Sequence, residues 1–189
     1  QAFPQTRKNS SGYALDRFAE SGDELDLIVG SEGTLGIVTA VEWRLDPIPP
    51  GLAGAALGFT DLAALAEAVP FLVSLNPSAV ELLDRTLLRL IPDTPDVACL
   101  LLVEFERETS AAARGVVGDA VRGLKHHVAH VETAVDRAGL EKLWEVRRLA
   151  SPALARLPPS QRSLQVIEDG CVPLERLGDT QTGSPHAWR

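Results

Sequence analysis

The sequence predicts an α+β fold in which an antiparallel sheet is covered by helices on one side. Two observations lead to this prediction: β-like segments alternate with one or two helical segments, and the links between them are short. The composition suits one or two small domains with an apolar core, since 45% of the 189 residues are hydrophobic and 23% are charged. The chain contains no internal repeat and no low-complexity segment.

Charge and hydropathy argue against several functional classes. The formal net charge is −8 without a basic cluster, which makes nucleic acid a poor candidate partner. The longest apolar passage, residues 62–75, contains Glu67 and Pro70 and is too short to span a bilayer. Cys99 and Cys171 lie in apolar β-like segments and are expected to be buried thiols. Since the N-terminus has no signal-peptide pattern, we expect a cytoplasmic protein.

The first 48 residues contain few regular elements. Residues 1–23 are polar and turn-rich with a short helical segment around residues 15–18, and residues 25–29 fit one helical turn or a short buried strand. A period-two pattern then predicts a strand over residues 37–45. Its two faces carry Ile37, Thr39, Val41, Trp43 and Leu45 on one side and Val38, Ala40, Glu42 and Arg44 on the other. The strand ends at "DPIPPG", whose prolines lack backbone donors, and we place a domain boundary there.

Strands and helices alternate beyond the boundary. A strand over residues 54–59 leads to Thr60 and Asp61, which cap a predicted helix over residues 62–75. The next segment, "NPSAVELLDRTLLRLIP", predicts a second helix, because Pro77 suits a helix N-terminus and apolar residues follow at helical spacing. Those apolar residues are Val80, Leu83, Leu87, Leu88 and Ile91.

The second half of the chain continues this alternation. "VACLLLVEFE" predicts a buried strand, and residues 109–125 an amphipathic helix. The inner stripe of this helix consists of Ala113, Val116, Val117, Ala120, Val121 and Leu124. "HVAHVETAV" predicts another strand, and residues 139–155 another helix. A last strand and turn are predicted in residues 163–177, and residues 179–189 form an aperiodic tail that we expect to be disordered.

Three glycines, Gly30, Gly33 and Gly36, form a glycine corner (residues 30–36) before the first predicted strand. Their spacing matches neither the dinucleotide-binding fingerprint nor the P-loop. Glycines permit positive φ angles and let a main chain press against a ligand, and exposed N–H groups in such a turn can hold an anion. A tight corner that packs against its own sheet is the alternative, and the spacing alone leaves both interpretations open.

Three histidines in "KHHVAH" are candidate metal ligands. On a helix, His126 and His130 would share a face and could hold a metal ion. The segment has the pattern of a strand, however, in which about 13 Å separates residues four apart, so we expect no metal site at His126, His127 and His130. Glu81 and Asp84, which lie on a predicted helix, are expected to be solvated or to make cap contacts.

Four strings carry a resemblance to a known family. They are "KNSSGYAL" (8–15), "GSEGTLGIVT" (30–39), "LWEVRR" (143–148) and "VIEDGCVPLERL" (166–177). In this order and at these separations they resemble the FAD-linked oxidases of the vanillyl-alcohol oxidase/p-cresol methylhydroxylase (PCMH) superfamily. The most similar branch contains D-lactate dehydrogenase, the glycolate oxidase flavin subunit and D-2-hydroxyglutarate dehydrogenase. The strings are spread over most of the chain, from residue 8 to residue 177, and the second is the most specific.

The resemblance implies a division of the chain and an FAD cofactor. Residues 1–48 would be the C-terminal part of a PCMH-type FAD-binding domain, residues 49–178 an incomplete FAD-linked oxidase C-terminal (cap or substrate) domain, and residues 179–189 the tail. The implied FAD-binding residues are Asn9, Ser10, Gly12, Gly30, Ser31, Glu32, Gly33, Thr34, Gly36, Ile37 and Val38. Glu32 would be a structural carboxylate, with a solvated loop acid as the alternative. Tyr13 is expected to pack rather than to react.

One arginine is implied to bind substrate. Arg147 falls where related enzymes hold the carboxylate of a 2-hydroxy acid, a role that suits a bidentate guanidinium fork. The alternative is a helix-surface arginine, at position 147 or 148, that pairs with Glu145 or Glu141.

The implied reaction is the dehydrogenation of a 2-hydroxy acid, of the D-lactate, glycolate or 2-hydroxyglutarate type, by hydride transfer to flavin. An earlier flavin subdomain and a later histidine motif of the family are absent from these 189 residues. We therefore expect a fragment that needs the missing subdomain or a partner chain, assign no catalytic residue, and expect the isolated chain to be inactive. The alternative is a non-catalytic remnant that folds as a cap-like or protein-interaction module, with homodimerisation possible in either case.

Overall fold

The structure is a computed structural model that describes residues 12–161 of the chain. The strands are β1 (Gly51–Phe59), β2 (Ala79–Asp84), β3 (Cys99–Arg107) and β4 (Val128–Ala134). The helices are α1 (Leu15–Ser21), α2 (Leu25–Ile28), α3 (Leu62–Ser74), α4 (Arg85–Leu88), α5 (Ser110–Leu124), α6 (Arg137–Leu143) and α7 (Glu145–Ala155). A short 3-10 helix, Pro159–Gln161, follows α7.

The four strands form one antiparallel sheet in the order β2-β3-β1-β4. The two central strands pair along their whole length, from Gly51 opposite Arg107 to Phe59 opposite Cys99. Helix α3 connects β1 to β2 and α5 connects β3 to β4, which gives the β-α-β-β-α-β arrangement of ferredoxin-like folds. This architecture confirms the predicted α+β fold with an antiparallel sheet and helices.

The first face of the sheet carries α3 and α5 and holds the larger core. Alternate residues of β1 and β3 point to this face, as the two-residue period of a strand requires. They contact Leu65 and Leu72 of α3 and Val117 and Leu124 of α5, all of which are buried. Four members of the predicted inner stripe of α5 are fully buried, and Val116 and Val121 pack against them while partly exposed.

The second face is also covered, so the expectation of helices on one side only is wrong. Leu140 and Leu143 of α6 and Leu88 of α4 join Ala56 and Leu102 of the sheet in a second buried cluster. The close approach of α6 depends on a glycine, because a β-carbon on Gly54 would lie 2.7 Å from Leu140 Cδ2. The sequence pattern of β1 and β3 is apolar on both faces for this reason.

Side-chain caps begin four of the described helices, and the cap of α4 is Asp84, whose Oδ1 accepts a hydrogen bond from the main-chain nitrogen of Leu87 (2.9 Å). Asp61 Oδ1 accepts a hydrogen bond from the main-chain nitrogen of Ala64 (2.8 Å), which confirms the predicted cap of α3. Thr109 and Asp136 cap α5 and α6 in the same way. These caps satisfy main-chain donors that the first turn of a helix leaves unpaired.

The predicted helix in residues 77–91 is wrong. The segment forms β2, which pairs with β3 from Ala79 opposite Glu104 to Asp84 opposite Cys99, and then the single turn α4. β3 lies inside the sheet and needs a strand partner on each side. The spacing of the apolar residues fits a helix, but it fits a strand followed by a helical turn equally well, so the pairing with β3 decides the structure. Leu83 and Leu88 are buried in the second core cluster by this arrangement.

The strand predicted over residues 37–45 is not formed within the described part of the chain. Its residues are exposed, with relative exposures of 92% for Ile37 and 85% for Leu45. None of its main-chain groups bonds to another described residue. A period-two pattern specifies a strand only where a sheet edge is available, and no edge within residues 12–161 pairs with it.

The remaining helix predictions were correct in type but not always in extent. Residues 25–28 form a helical turn rather than a strand, and α1 extends beyond the predicted residues 15–18. The predicted helix over residues 139–155 is divided into α6 and α7 at Trp144. The predicted strand in residues 163–177, Cys171 and the tail lie outside the described residues. No helix within residues 12–161 is long and apolar enough to cross a membrane.

Candidate functional site

The glycine corner follows α2 and is shaped by three positive φ angles. Gly30, Glu32 and Gly33 have φ values of 82°, 51° and 77°. The main-chain nitrogen of Thr34 donates to the carbonyl oxygen of Ser31 (3.0 Å) and closes the turn. Glycine adopts such φ values without the steric cost that a β-carbon brings, which explains two of the three positions.

The space around this corner is open. A β-carbon on Gly30, Gly33 or Gly36 would meet no other described atom within 4 Å. The interpretation of the corner as a turn packed against its own sheet therefore finds no support in residues 12–161. The main-chain N–H groups of Glu32, Gly33, Gly36, Ile37 and Val38 donate to no main-chain acceptor in the same range, so an outside ligand can reach them.

A hydrogen-bonded chain ties the corner to the preceding segment. The Thr34 hydroxyl donates to the carbonyl oxygen of Ser31 (2.6 Å) and lies 2.7 Å from the Tyr13 hydroxyl oxygen. Since the single Thr34 hydroxyl hydrogen is used on Ser31, Tyr13 is the donor to Thr34. This series of hydrogen bonds holds Tyr13, and with it the adjacent Gly12, beside the corner. Ser31, at the end of the series, is buried. Tyr13 thus has a structural contact.

The Glu32 side chain points into solvent. It forms no hydrogen bond or ion pair with another described residue, and its residue is exposed. Within residues 12–161 its environment matches the solvated-acid alternative. Its carboxylate is available to a group outside this range.

On the second face of the sheet, Arg147 of α7 reaches across to β2. Its Nε lies 3.3 Å from Oε2 of Glu81, and the two side chains are 45% and 44% exposed. The partner is therefore neither of the helix-surface acids that the sequence alternative named. No other polar partner of the guanidinium occurs among the described residues, so no bond within residues 12–161 occupies its two terminal nitrogens.

A second contact anchors the same helical junction. Trp144, between α6 and α7, donates from Nε1 to Oε2 of Glu104 on β3 (2.8 Å). Arg148 behaves differently, since its Nη2 donates to the carbonyl oxygen of Glu141 (2.6 Å) along its own helical segment. Only Arg147 of the two arginines contacts the sheet through a hydrogen bond.

A cleft of about 370 Å³ lies between this junction and the second face. Ala56, Leu100 and Val146 provide apolar lining, and His130, Glu132 and Lys142 provide polar lining. The volume is within the range of small-molecule sites. The mixture of apolar walls and a few charged groups suits a small polar organic molecule.

Neither the histidines nor the buried cysteine of the described residues forms a catalytic arrangement. No group of three or more His, Cys, Asp or Glu residues within 12–161 is placed to hold a metal ion. Of the three histidines, only His130 lies on β4. Burial raises the pKa of the Cys99 thiol to about 11, so the thiol is neutral near pH 7 and a poor nucleophile.

Comparison with known families assigns the chain. Residues 49–182 match the family described as FAD linked oxidases, C-terminal domain. The chain belongs to the FAD-linked oxidases.

Similar curated oxidoreductases come from plants and bacteria. The chain is 28% identical to the mitochondrial D-lactate dehydrogenase [cytochrome] of Arabidopsis thaliana over 93% of its own length and 30% of that protein. It is 29% identical to glycolate oxidase subunit GlcD of Bacillus subtilis (91% of the chain, 36% of the relative). It is 26% identical to D-2-hydroxyglutarate dehydrogenase of Escherichia coli (94% of the chain, 20% of the relative). The chain thus spans between a fifth and about a third of the length of these relatives.

FAD is the cofactor of the FAD-linked oxidases, and the geometry of the glycine corner fits it. The corner offers main-chain donors that have no acceptor within residues 12–161, and its glycines leave space that β-carbons would partly fill. Such a surface suits close approach by the polar edge or the phosphates of a dinucleotide. The implied FAD residues Ser31 and Thr34 are joined by a hydrogen bond at the corner, and Gly12 precedes Tyr13, which bonds to Thr34. Asn9 and Ser10 lie outside the described residues.

Sequence reasoning did not predict which residues of the sheet contact Arg147 and Trp144 in this FAD-linked oxidase. Glu81 was assigned to a helix and expected to be solvated or to make a cap contact, and Glu104 and Trp144 were given no role. A signal was available, because strand alternation in "AVELLD" places Glu81 on the same face as Leu83. The pairing of β2 with β3, which brings Glu81 opposite Leu102, was not predictable from spacing.

Proposed function

We propose that the chain is part of an FAD-dependent oxidoreductase that dehydrogenates a 2-hydroxy acid of the D-lactate, glycolate or 2-hydroxyglutarate type. The names of the relatives support this substrate class. Because the chain spans at most 36% of these three relatives, the activity is proposed for a site completed by a flavin-binding domain, on the same or on a partner polypeptide.

The observation that carries the proposal is the guanidinium fork of Arg147, whose terminal nitrogens have no partner within residues 12–161. Its Nε is held by Glu81, while no described residue bonds to the two terminal nitrogens. Two parallel N–H donors match the two oxygens of a carboxylate, and charge assistance makes such bonds short and strong. Arg147 is thus suited to bind and orient the carboxylate of a small hydroxy acid.

The cofactor is proposed to be held by the first part of the chain. Bound FAD would supply the redox chemistry by accepting the hydride from the α-carbon of the substrate. Residues 1–48 would form part of the FAD-binding domain, with main-chain contacts from Gly30, Gly33, Gly36, Ile37 and Val38. Residues 49–178 would form the substrate domain. We propose no base among residues 12–161, so the acceptor of the hydroxyl proton belongs to the rest of the completed site.

Three further features stay predictions. They are a cytoplasmic location, a homodimer and disorder in residues 179–189. A missing flavin subdomain or partner chain is a requirement of the proposed activity.

The test combines the chain with the segments that complete the proposed site, an N-terminal flavin subdomain and the later segment that carries the family's histidine motif, supplied in trans. FAD binding is followed by quenching of flavin fluorescence, and then D-lactate, glycolate or D-2-hydroxyglutarate is added under anaerobic conditions. We expect loss of the oxidised-flavin absorbance with at least one acid. The matched control is the methyl ester of the same acid, which lacks the carboxylate and should react far more slowly.

Two results would contradict the proposal. If the methyl ester reduced the flavin as fast as the acid does, Arg147 would have no role in recognising the carboxylate. Tight FAD binding without reduction by any 2-hydroxy acid would remove the proposed substrate class.

A further inference from the structure

The Glu81–Arg147 contact joins two elements that are distant in sequence. Glu81 lies on the edge strand β2, and Arg147 lies on the first turn of α7. The contact uses Nε, the nitrogen nearest the aliphatic stem of the arginine. A bond at this position fixes the plane of the guanidinium and leaves its terminal nitrogens pointing away from the stem.

A neighbouring hydrogen bond makes the arrangement more rigid. Glu81 stands opposite Leu102, and Glu104 stands opposite Ala79, so the two carboxylates lie diagonally on the same face of adjacent strands. Their partners Trp144 and Arg147 are three residues apart and therefore lie on the same side of the helical segment. Two parallel contacts thus fix both the position and the rotation of the junction over the sheet.

We infer that Glu81 is a positioning residue that holds Arg147 through Nε and presents its terminal nitrogens to the carboxylate of the 2-hydroxy acid. The inference rests on the proposed function, because it deepens the role proposed for Arg147. Glu81 itself does not touch the substrate. Its effect on affinity arises from the orientation of the arginine.

Electrostatics and positioning make opposite predictions for this residue. If Glu81 acted only as a counter-ion, it would compete with an anionic ligand for Arg147, and its removal would tighten binding. If Glu81 positions the fork, its removal frees the arginine to sample many rotamers, and binding weakens. The sign of the change in dissociation constant therefore separates the two roles.

The experiment uses the 189-residue chain together with the segments that complete the proposed site, with FAD reduced in advance under anaerobic conditions so that the acids bind without turnover. The three probes, D-lactate, glycolate and D-2-hydroxyglutarate, are added in NMR titrations. The variants are Glu81→Ala, Glu81→Gln, Arg147→Ala and, as a matched control, Asp119→Asn. Asp119 pairs with Arg122 on α5, and this exposed ion pair is on the other face of the sheet. The Arg147 Nε–H cross-peak reports the contact directly, in the presence or absence of ligand.

We expect Glu81→Ala to raise the dissociation constant about fivefold, as loss of one charge-assisted contact would. Glu81→Gln keeps an acceptor for Nε and should have a smaller effect. Both variants should shift the Arg147 Nε–H cross-peak, Asp119→Asn should change neither quantity, and Arg147→Ala should abolish binding.

Contradicting outcomes distinguish the inference from the function on which it rests. Unchanged or tighter binding in Glu81→Ala, with binding abolished in Arg147→Ala, would overturn the positioning role and leave the proposed function standing. Unaltered binding in Arg147→Ala, or no binding of any acid by the wild type, would overturn the proposed role of Arg147 and the inference with it. Should Glu81→Ala fail to fold, the sign of the change in dissociation constant is taken from Glu81→Gln, with Asp119→Asn as the control.

Discussion

The guanidinium of Arg147 shows how a single side chain can carry a substrate hypothesis. Its environment combines one fixed nitrogen and two open ones on a partly exposed surface. A lysine at the same position would keep the positive charge but lose the planar fork that matches two carboxylate oxygens. Substitution of Arg147 by lysine thus separates the contribution of its charge to carboxylate binding from the contribution of its geometry.

We expect Arg147→Lys to weaken the binding of D-lactate, glycolate or D-2-hydroxyglutarate about tenfold although the net charge is unchanged, because one of two parallel hydrogen bonds is lost. The measurement is an NMR titration of the chain together with the segments that complete the proposed site and reduced FAD, with Arg148→Lys as the matched control. Equal affinities of the wild type and Arg147→Lys would show that only charge matters at this position.

The Asp61 cap allows a second prediction, on pH dependence. The main-chain N–H of Ala64 lowers the pKa of Asp61 below its ordinary value of 3.8. Because the folded-state pKa is lower than the unfolded one, the stabilisation is fully present above about pH 4 and is lost as the pH falls through the lowered value.

We therefore expect Asp61→Ala to lower the melting temperature by a few degrees at pH 7 and by progressively less below about pH 4. Asp61→Asn keeps a capping acceptor and should stay close to the wild type at neutral pH. Thermal unfolding followed by circular dichroism over a pH series measures both. A deficit of Asp61→Ala that persists unchanged to pH 2 would mean that the cap does not depend on the carboxylate charge.

At the level of elements, the packing of α6 on β1 depends on the absence of a side chain at Gly54. A β-carbon there would lie 2.6 Å from the Val103 carbonyl oxygen and 2.7 Å from Leu140 Cδ2. Gly115 in α5 is different, because a β-carbon there would meet no atom within 4 Å. The two glycines form a matched pair for substitution by alanine.

We expect Gly54→Ala to lower the free energy of unfolding by about 1–3 kcal/mol through overpacking. Gly115→Ala should raise it by about 0.5–1 kcal/mol, since alanine favours the helix interior. Urea denaturation of both variants provides the measurement. A neutral Gly54→Ala would indicate that α6 can move away from the sheet at little cost.

The elements that were predictable from sequence are those whose signals are local. For α5, a threonine cap and an apolar stripe at helical spacing lie within one segment, and both are found as expected. β2 was mistaken for a helix because its identity depends on pairing with β3, which begins 15 residues after β2 ends. The contact of Arg147 with the sheet was not predicted for the same reason, because Glu81 lies 66 residues away from it in the sequence. The glycine corner was predictable because its glycines lie close together in the sequence. The open space around it was not predictable from the sequence.

On the scale of the whole molecule, residues 37–48 differ from the sheet that follows them. They are exposed, and their main-chain groups make no hydrogen bond with described residues, whereas β1 and β3 are paired over nine residues. Amide hydrogens that lack intramolecular bonds exchange freely, and those of central strands exchange only when the domain unfolds.

We expect hydrogen exchange to be fast in residues 37–46 of the chain alone and slow in β1 and β3. Addition of a flavin-binding domain should slow the first set if the period-two pattern then finds a sheet edge. Mass spectrometry of peptic peptides measures both, and β4 provides the internal reference for an edge strand. Protection of residues 37–46 at the level of β4 in the chain alone would mean that they already have a strand partner.

The central position of β1 also has a consequence for synthesis on the ribosome. β1 is translated first, yet its partners follow 40 or more residues later, as Phe59 pairs with Cys99 and with Val128. During this delay an apolar strand of nine residues has to remain unpaired, a condition that favours aggregation. Six of its nine residues are glycine or alanine, which have low β-propensity and little side-chain surface. The composition that lets helices pack closely on both faces thus also keeps the nascent strand from associating before its partners emerge.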